Sequence, residues 1–268
     1  MRSETYYRDH WVEIDDERLS TYDSMFEWHP RMVPLIEGAD VQPGVSVLDY
    51  GCGPGGMSME LARRVGPSGH ITGLDLNSGM VALAKARAER EGFSASTKFL
   101  QWSEDRLPFD DATFERVICK SVLEYVADPS NVIEEFKRVT QPGGRVHIID
   151  SDWSMMVLEP VGADKLRQLF NAASMAYNTP EIGRRLYGLM RHAGLTDVSV
   201  KVLCAADTTG VRAPVVRHMV SYAREANTID EAFLTAISKA VEDAIHDQTY
   251  LMILPQFVVS GIVPVATT

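Results

Sequence analysis

The stretch Val47-Leu48-Asp49-Tyr50-Gly51-Cys52-Gly53-Pro54-Gly55-Gly56 (VLDYGCGPGG, 47–56) decides how the rest of the chain is read. An apolar run ends in four glycines, and the next residues, GMSMELARRV, carry apolar side chains at helical spacing. A strand that turns through glycines into a helix lets a backbone approach a ligand at the helix N-terminus. Gly51, Gly53 and Gly56 satisfy G-x-G-x-x-G, a spacing that by itself leaves the nucleotide open.

Outward from this loop, short β-branched runs alternate with helical patterns. The strands expected are 45–50, 70–75, 97–101, 115–120 and 145–150. Each is nearly continuously apolar at its centre, as parallel strands covered on both faces are. Between them lie helical patterns in GMSMELARRV, SGMVALAKARAERE and NVIEEFKRVT, with the turns GPSG and QPGG ending two of them. The class is α/β, an open doubly wound sheet. Residues 1–40 form an aromatic-rich arm with helical fragments around DERLSTYDSMFEW. After Asp150 the pattern predicts helices near 161–177 and 181–193, a strand at 198–204, the helices APVVRHMVSYAREA and DEAFLTAISKAVEDAIHDQ, and a last strand at 256–263. Pro255 stands where that strand begins, a place proline tolerates. The extra helices, around 155–193 and 211–247, have no place in the sheet and are expected to cap its ligand-binding edge.

Composition narrows the partners. A net charge of -11 over 268 residues, without a basic stripe, argues against nucleic acid. Cys52, Cys119 and Cys204 are too scattered for a disulfide framework or a metal site, and the histidines His192, His218 and His246 lack ligand-like spacing. No metal is expected, and a reducing cytoplasm fits. The N-terminus is polar and acidic, unlike a signal peptide, and no apolar run reaches the roughly 18 to 20 residues needed to span a bilayer. The apolar faces of the cap helices suit either a pocket or a homodimer.

Two acids refine the ligand. Asp49, at the end of the first strand, suits a ligand carrying an ammonium group better than a pyrophosphate, and so favours S-adenosylmethionine over a nicotinamide dinucleotide. Asp75, at the end of the second strand, is placed to accept hydrogen bonds from two ribose hydroxyls in either case. The ordered set VLDYGCGPGG, GLDLNSGMVALAKARA, RLPFDDATFERVICKSVLEYVADP and RVTQPGGRVHIID resembles the class I S-adenosylmethionine-dependent methyltransferases, in particular the small-molecule branch similar to ubiquinone and menaquinone biosynthesis methyltransferases. The resemblance implies a Rossmann-like seven-stranded sheet, mostly parallel with an antiparallel last strand. It implies that Gly51, Cys52, Gly53 and Gly55 line the methionine and ribose, that Asp75 holds the ribose, that Leu76 and Met80 pack near the adenine, and that the backbone around Lys120 and Ser121 faces the methionine. One departure stands at the end of the third strand, where the family commonly reads G-D-A. Here QWSED puts Trp102 and Ser103 at those positions, so Ser103, with Glu104 beside it, replaces the aspartate that accepts the adenine amino group.

Methyl transfer from a sulfonium is an in-line displacement that asks a protein to align the acceptor, exclude water and, for some acceptors, remove a proton. Asp152, just past the fifth strand, is the preferred polar residue on the acceptor side; the alternative is that it caps the next turn. His29 in FEWHP is the best general base by residue type, and a structural turn residue is the competing reading. Tyr22 is a candidate to face the sulfonium by cation–π attraction, with helix-to-core packing beside Phe26 as its alternative. Arg184 and Arg185 either recognise an acceptor carboxylate or pair with surface acids. Three other functions remain in view: a lyase or cyclase releasing methylthioadenosine, a non-catalytic scaffold, and nicotinamide-dependent reduction. The intact glycine loop with Asp75 argues against a scaffold, and the lack of a tyrosine–lysine pair after the fourth strand argues against the reductase.

Overall fold

The computed structural model describes residues 5–265. The arm contributes α1 (Tyr6–Val12), α2 (Asp16–Met25) and the short α3 (Val33–Ile36). The sheet then begins: β1 (Ser46–Tyr50), α4 (Gly56–Val65), β2 (His70–Asp75), α5 (Ser78–Glu91), β3 (Thr97–Gln101), β4 (Phe114–Lys120), α6 (Pro129–Val139) and β5 (Thr140–Ser151). Beyond it come β6 (Val157–Glu159), α7 (Ala163–Ala173), α8 (Ile182–His192), β7 (Thr196–Leu203), β8 (Ala206–Asp207), α9 (Ala213–Ala226), α10 (Glu231–His246), β9 (Leu251–Ile253) and β10 (Gln256–Ile262).

Local chemistry sets several of these boundaries. Asp15, Asn77, Asp128 and Asp230 each accept a backbone N–H of the first turn, opening α2, α5, α6 and α10. Pro129 occupies the first turn of α6, where its missing N–H costs nothing. Gly92 ends α5 in the left-handed conformation, which returns the chain to β3.

The main sheet has seven strands in the order β3-β2-β1-β4-β5-β10-β7. β1 pairs in parallel with β2 and β4, while β10 runs antiparallel to both β5 and β7. The fold expected from the sequence is therefore present, including its single antiparallel strand. The sheet carries a core on each face. Leu48, Val117, Val146 and Phe136 pack on one side with α6 and α8, and Val47, Ile118, Ile149 and Leu61 on the other. All are essentially solvent-free, and burying each such side chain contributes about 1.5–3 kcal/mol.

Three features differ from the sequence expectation. YYRDHWV forms α1 although its apolar spacing is poor; the helix is set by the tertiary packing of its rings. QPGG does not separate helix from strand: β5 already starts at Thr140 and passes through Gly143 at φ 80° with a register shift against β4. A second, three-stranded sheet, β6-β9-β8, is also present. It joins α7, α9 and α10, whose buried faces share one core with Trp153, Tyr177 and Tyr222. Among the described residues no helix is long and apolar enough to cross a membrane.

Candidate functional site

The order of strands reverses between β1 and β4, since β2 and β3 lie to one side and β5 to the other. Open α/β sheets bind ligands in the crevice at such a point. A cavity of about 180 Å³ opens there. Its floor is the loop after β1, with Tyr50, Gly51, Cys52 and Gly53; one wall holds Asp75, Leu76, Asn77 and Met80, and the other Lys120, Ser121, Val122 and Tyr125. Trp102 closes one side, and Trp11, Met25, Phe26 and Met32 of the arm lie over it.

Two glycines show what the loop requires. Gly53 sits at φ 52°, and a Cβ there would meet nothing nearer than the Phe26 ring at 3.9 Å, so its free side faces the cavity. Gly56 serves the chain instead: a Cβ would stand 2.2 Å from the Phe26 carbonyl oxygen and 3.2 Å from the Trp28 nitrogen. The arm thus lies directly on the start of α4. It is tied there by the Asn77 amide, which donates to the carbonyls of Trp11 and Val12 at 3.0 Å. Arg87 adds a second tie, donating to the Pro54 carbonyl at 3.0 Å and pairing with Asp23.

Asp75 is the polar centre of the cavity. Its Oδ2 accepts the Gly53 N–H and its Oδ1 the Asn77 N–H, both at 2.9 Å. Burial raises its pKa, and these N–H donors oppose that rise. Each oxygen keeps a lone pair for one further donor. Asp49 lies fully buried behind the loop; Oδ2 accepts the Ser58 hydroxyl at 2.5 Å, while Oδ1 has no partner among the described residues. Burial pushes its pKa up to about 7. The Lys120 ammonium is pulled down by burial, with Asp150 and Glu124 opposing. Asp150 accepts the Leu123 and Ser151 N–H groups at 3.0 and 2.9 Å, and the Trp153 indole N–H donates to Glu124.

Of the residues singled out from the sequence, Gly51, Cys52, Gly53, Asp75, Leu76, Met80 and Lys120 line the cavity. Gly55 and Asp49 stand behind it: Gly55 packs on Ala84, and Asp49 on Ser58. Ser103 and Glu104 are exposed and outside the cavity, because Trp102 turns inward in their place, its indole N–H bound to the Arg106 carbonyl. The acceptor-side candidates take up the alternative arrangements that the sequence also allowed: a cap, a turn and core packing. Asp152 is fully buried but committed: Oδ1 accepts the Ser154 N–H and hydroxyl at 3.1 and 2.7 Å, and Oδ2 pairs with Arg184. It is a capping acid, and Arg184 is its partner. His29 is exposed, and its Nδ1 accepts the Arg31 N–H at 3.1 Å, capping the Pro30–Met32 turn. Tyr22 is buried beneath the cavity wall, stacked on Phe26 at 5.5 Å and hydrogen-bonded by Arg18 at 3.2 Å. The sequence reading missed Met25, Met32 and Met57 as lining residues; their only signal was a methionine count of 12.

Comparisons with known proteins agree with this geometry. A family model described as a methyltransferase domain matches residues 42–194. A demethylmenaquinone methyltransferase of Bacillus cytotoxicus is 34% identical over 118 residues, which cover 44% of this chain and 49% of that protein. A ubiquinone biosynthesis O-methyltransferase of Xylella fastidiosa is 30% identical over 154 residues, 57% of this chain and 61% of that one. The chain thus spans less than two thirds of the length of either relative. Among solved structures, phosphoethanolamine N-methyltransferase 2 of Haemonchus contortus in complex with S-adenosyl-L-methionine superposes with a TM-score of 0.66 at 17% identity, covering 99% of this chain and 61% of that chain. The strand order, the glycine loop at its switch point and the match over more than half of the sequence lead to one conclusion: the chain belongs to the methyltransferase domain family.

Proposed function

We propose that the chain binds S-adenosylmethionine in the cavity between β1 and β4 and transfers its methyl group to a small organic molecule. The observation that carries this reading is the state of Asp75: a cavity-lining carboxylate, held by two backbone N–H groups, with one lone pair left on each oxygen for a vicinal diol. The residues around it fit the rest of the cofactor. Leu76, Met80 and Trp102 offer an apolar slot for the adenine, and the open side of Gly53 admits the methionine chain.

The cofactor supplies an electrophilic methyl group; the chain's residues hold and shield it. Asp75 fixes the ribose, and the arm aromatics Trp11 and Phe26 exclude water from above. Lys120, its ammonium disfavoured by burial, lowers the repulsion a cationic ligand would meet at that wall. In this reading residues 1–40, of which 1–4 lie outside the described residues, act as a lid, and the insertions around 155–193 and 211–247 shape the acceptor side. Two of its three free cysteines, Cys52 and Cys119, are buried, which agrees with work in a reducing cytoplasm.

The test is incubation of the purified protein with S-adenosylmethionine alone, followed by mass spectrometry of bound and released nucleosides. Bound, unconsumed S-adenosylmethionine or co-purified S-adenosylhomocysteine is expected. Methylthioadenosine above the uncatalysed background would replace methyl transfer by the lyase or cyclase reading, and absence of binding would overturn both.

A further inference from the structure

Among the described residues nothing pairs with the outer edge of β7, the last strand of the seven-stranded sheet. Such an edge offers a row of unpaired N–H and C=O groups to another strand. From Thr196 to Val202 its residues are exposed, apart from the half-buried Val198. Side chains along a strand alternate between its faces. Val198 belongs to the core beneath α8, with Met190 and Leu195. Val200 and Val202 share that face but are 46% and 44% exposed, so α8 covers the first valine and leaves the other two open. Tyr187 of α8 extends this apolar strip. It is 47% exposed and stands one turn on from Gly183, which lies on Phe257, the β10 neighbour of Val202. The opposite edge of the sheet, β3, exposes no large apolar side chain.

The residues of β7 match a second copy of the same strand. Two chains related by a two-fold axis perpendicular to the sheet set β7 antiparallel to its image, and the side chains then decide the register. An axis through Lys201 sets two ammonium groups directly opposite each other, which is destabilising. An axis through Ser199 runs the ladder into Asp197, where φ is 47° and the register with β10 shifts. An axis through Val200 avoids both faults. It sets Val200 against its own image and Val198 against the partner's Val202, so the valines on the α8 face cover one another. Lys201 then lies opposite the partner's Ser199 and diagonal to the partner's Asp197, within reach of a long side chain. Opposite charges approach, and no like charges face each other.

We infer that β7 is a homodimer interface, in which two copies of the chain pair antiparallel about Val200 and join their sheets edge to edge. The contact is isologous and closes on itself, and the bulge at Asp197 ends the ladder. β5 and β10 separate β4 from this edge, so the cavity between β1 and β4 stays open in the dimer. Because the axis reverses the strand direction, the two cavities open at opposite ends of the joined sheet. The cap helices take no part, since the buried faces of α7, α9 and α10 are spent on one another. The contact needs no ligand and stands apart from the cofactor reading.

The test begins with sedimentation velocity of the native chain from about 1 µM to about 1 mM, because an edge contact below the standard interface size is expected to have micromolar or weaker affinity. A monomer–dimer equilibrium is expected, and Val200→Lys, which sets two cations on the axis, should weaken it roughly tenfold or more. Register is read by cysteine crosslinking in a chain that carries Cys204→Ser, since Cys204 is exposed just beyond the strand. Val200→Cys is expected to form a disulfide-linked dimer on mild oxidation. Val202→Cys should link far more slowly, because its image stands four residues along the partner strand, about 13 Å away. A native chain that stays monomeric throughout, a Val200→Lys dimer as tight as the native one, or equal crosslinking at the two positions would overturn the assignment. All the altered side chains are exposed, and the native sedimentation decides the matter even if a variant does not fold.

Discussion

Replacing Asp75 by asparagine probes the cofactor reading most directly, because the structure fixes what the amide can and cannot do. Both carboxylate oxygens accept backbone N–H groups, from Gly53 and Asn77, at 2.9 Å. An asparagine has one carbonyl oxygen, so its NH₂ must face one of these two donors. One backbone N–H is then left unanswered in a buried place, at about 1–3 kcal/mol of stability. The ligand loses more: one hydroxyl meets a neutral acceptor, and the other meets no acceptor. Hydrogen bonds to charged groups contribute about 1.5–3 kcal/mol each, so a loss of about 2 to 3 kcal/mol is expected, or roughly 30- to 150-fold in Kd. Calorimetric titration of S-adenosylhomocysteine into native and Asp75→Asn protein reads the affinity, and urea unfolding reads the stability. A folded variant that binds S-adenosylhomocysteine within about threefold of the native protein would refute the placement of the ribose on Asp75.

Three further outcomes are expected. Gly56→Ala puts a methyl group 2.2 Å from the Phe26 carbonyl oxygen; the arm must move by about 1 Å, and S-adenosylhomocysteine affinity should fall at least tenfold with the sheet intact by circular dichroism, since displacements of that size cost on the order of 100-fold at reacting centres. His147 is buried in neutral form, its pKa lowered to about 4, with Nε2–H donating to the Leu35 carbonyl and Nδ1 accepting from Ser260. The folded pKa lies below the unfolded one, so this stabilisation is complete above pH 6.5 and is lost as pH falls from there towards 4. The loss amounts to about 3 kcal/mol, and denaturant midpoints for native protein and His147→Asn should converge between pH 7 and pH 4. Asp152→Asn should lower stability by about 1–3 kcal/mol, because it weakens the cap on Ser154 and the pairing with Arg184. Calorimetry should find its S-adenosylhomocysteine affinity unchanged; a tenfold loss would return Asp152 to the site.

The half of the molecule that holds the glycine loop was the legible half. Its strands are buried on both faces, so they appear as apolar runs bounded by glycine and proline, and β2 and β3 begin and end where those runs do. The cap was harder to read for a physical reason. β6, β8 and β9 have three, two and three residues, too few for any alternation to show. In the site, sequence position located backbones better than it located side-chain partners. Asp75 ends β2 and Asp152 directly follows β5, yet one carboxylate faces the cavity and the other is taken by Ser154 and Arg184. The cap on Ser154 was legible in SDWS as the alternative reading, but the pairing that takes the second oxygen was not, since Arg184 arrives from thirty-two residues away. Ser103 and Glu104 failed to reach the cavity for a similar reason: the bulky Trp102 has taken the inward position.

The small β6-β9-β8 sheet has a consequence for how acceptor preference changes within such a fold. Its strands come from two connections: β6 from the one between β5 and β7, and β8 and β9 from the two ends of the one between β7 and β10. Met252 of β9 pairs with Leu158 on one side and Asp207 on the other, so the two helical insertions are stitched through a single strand. Exchanging one insertion for that of a relative would leave β9 with one mismatched neighbour and α9 facing the wrong α7. Transplanting specificity therefore requires both insertions and β9 to move together, as one heritable module assembled from discontinuous sequence.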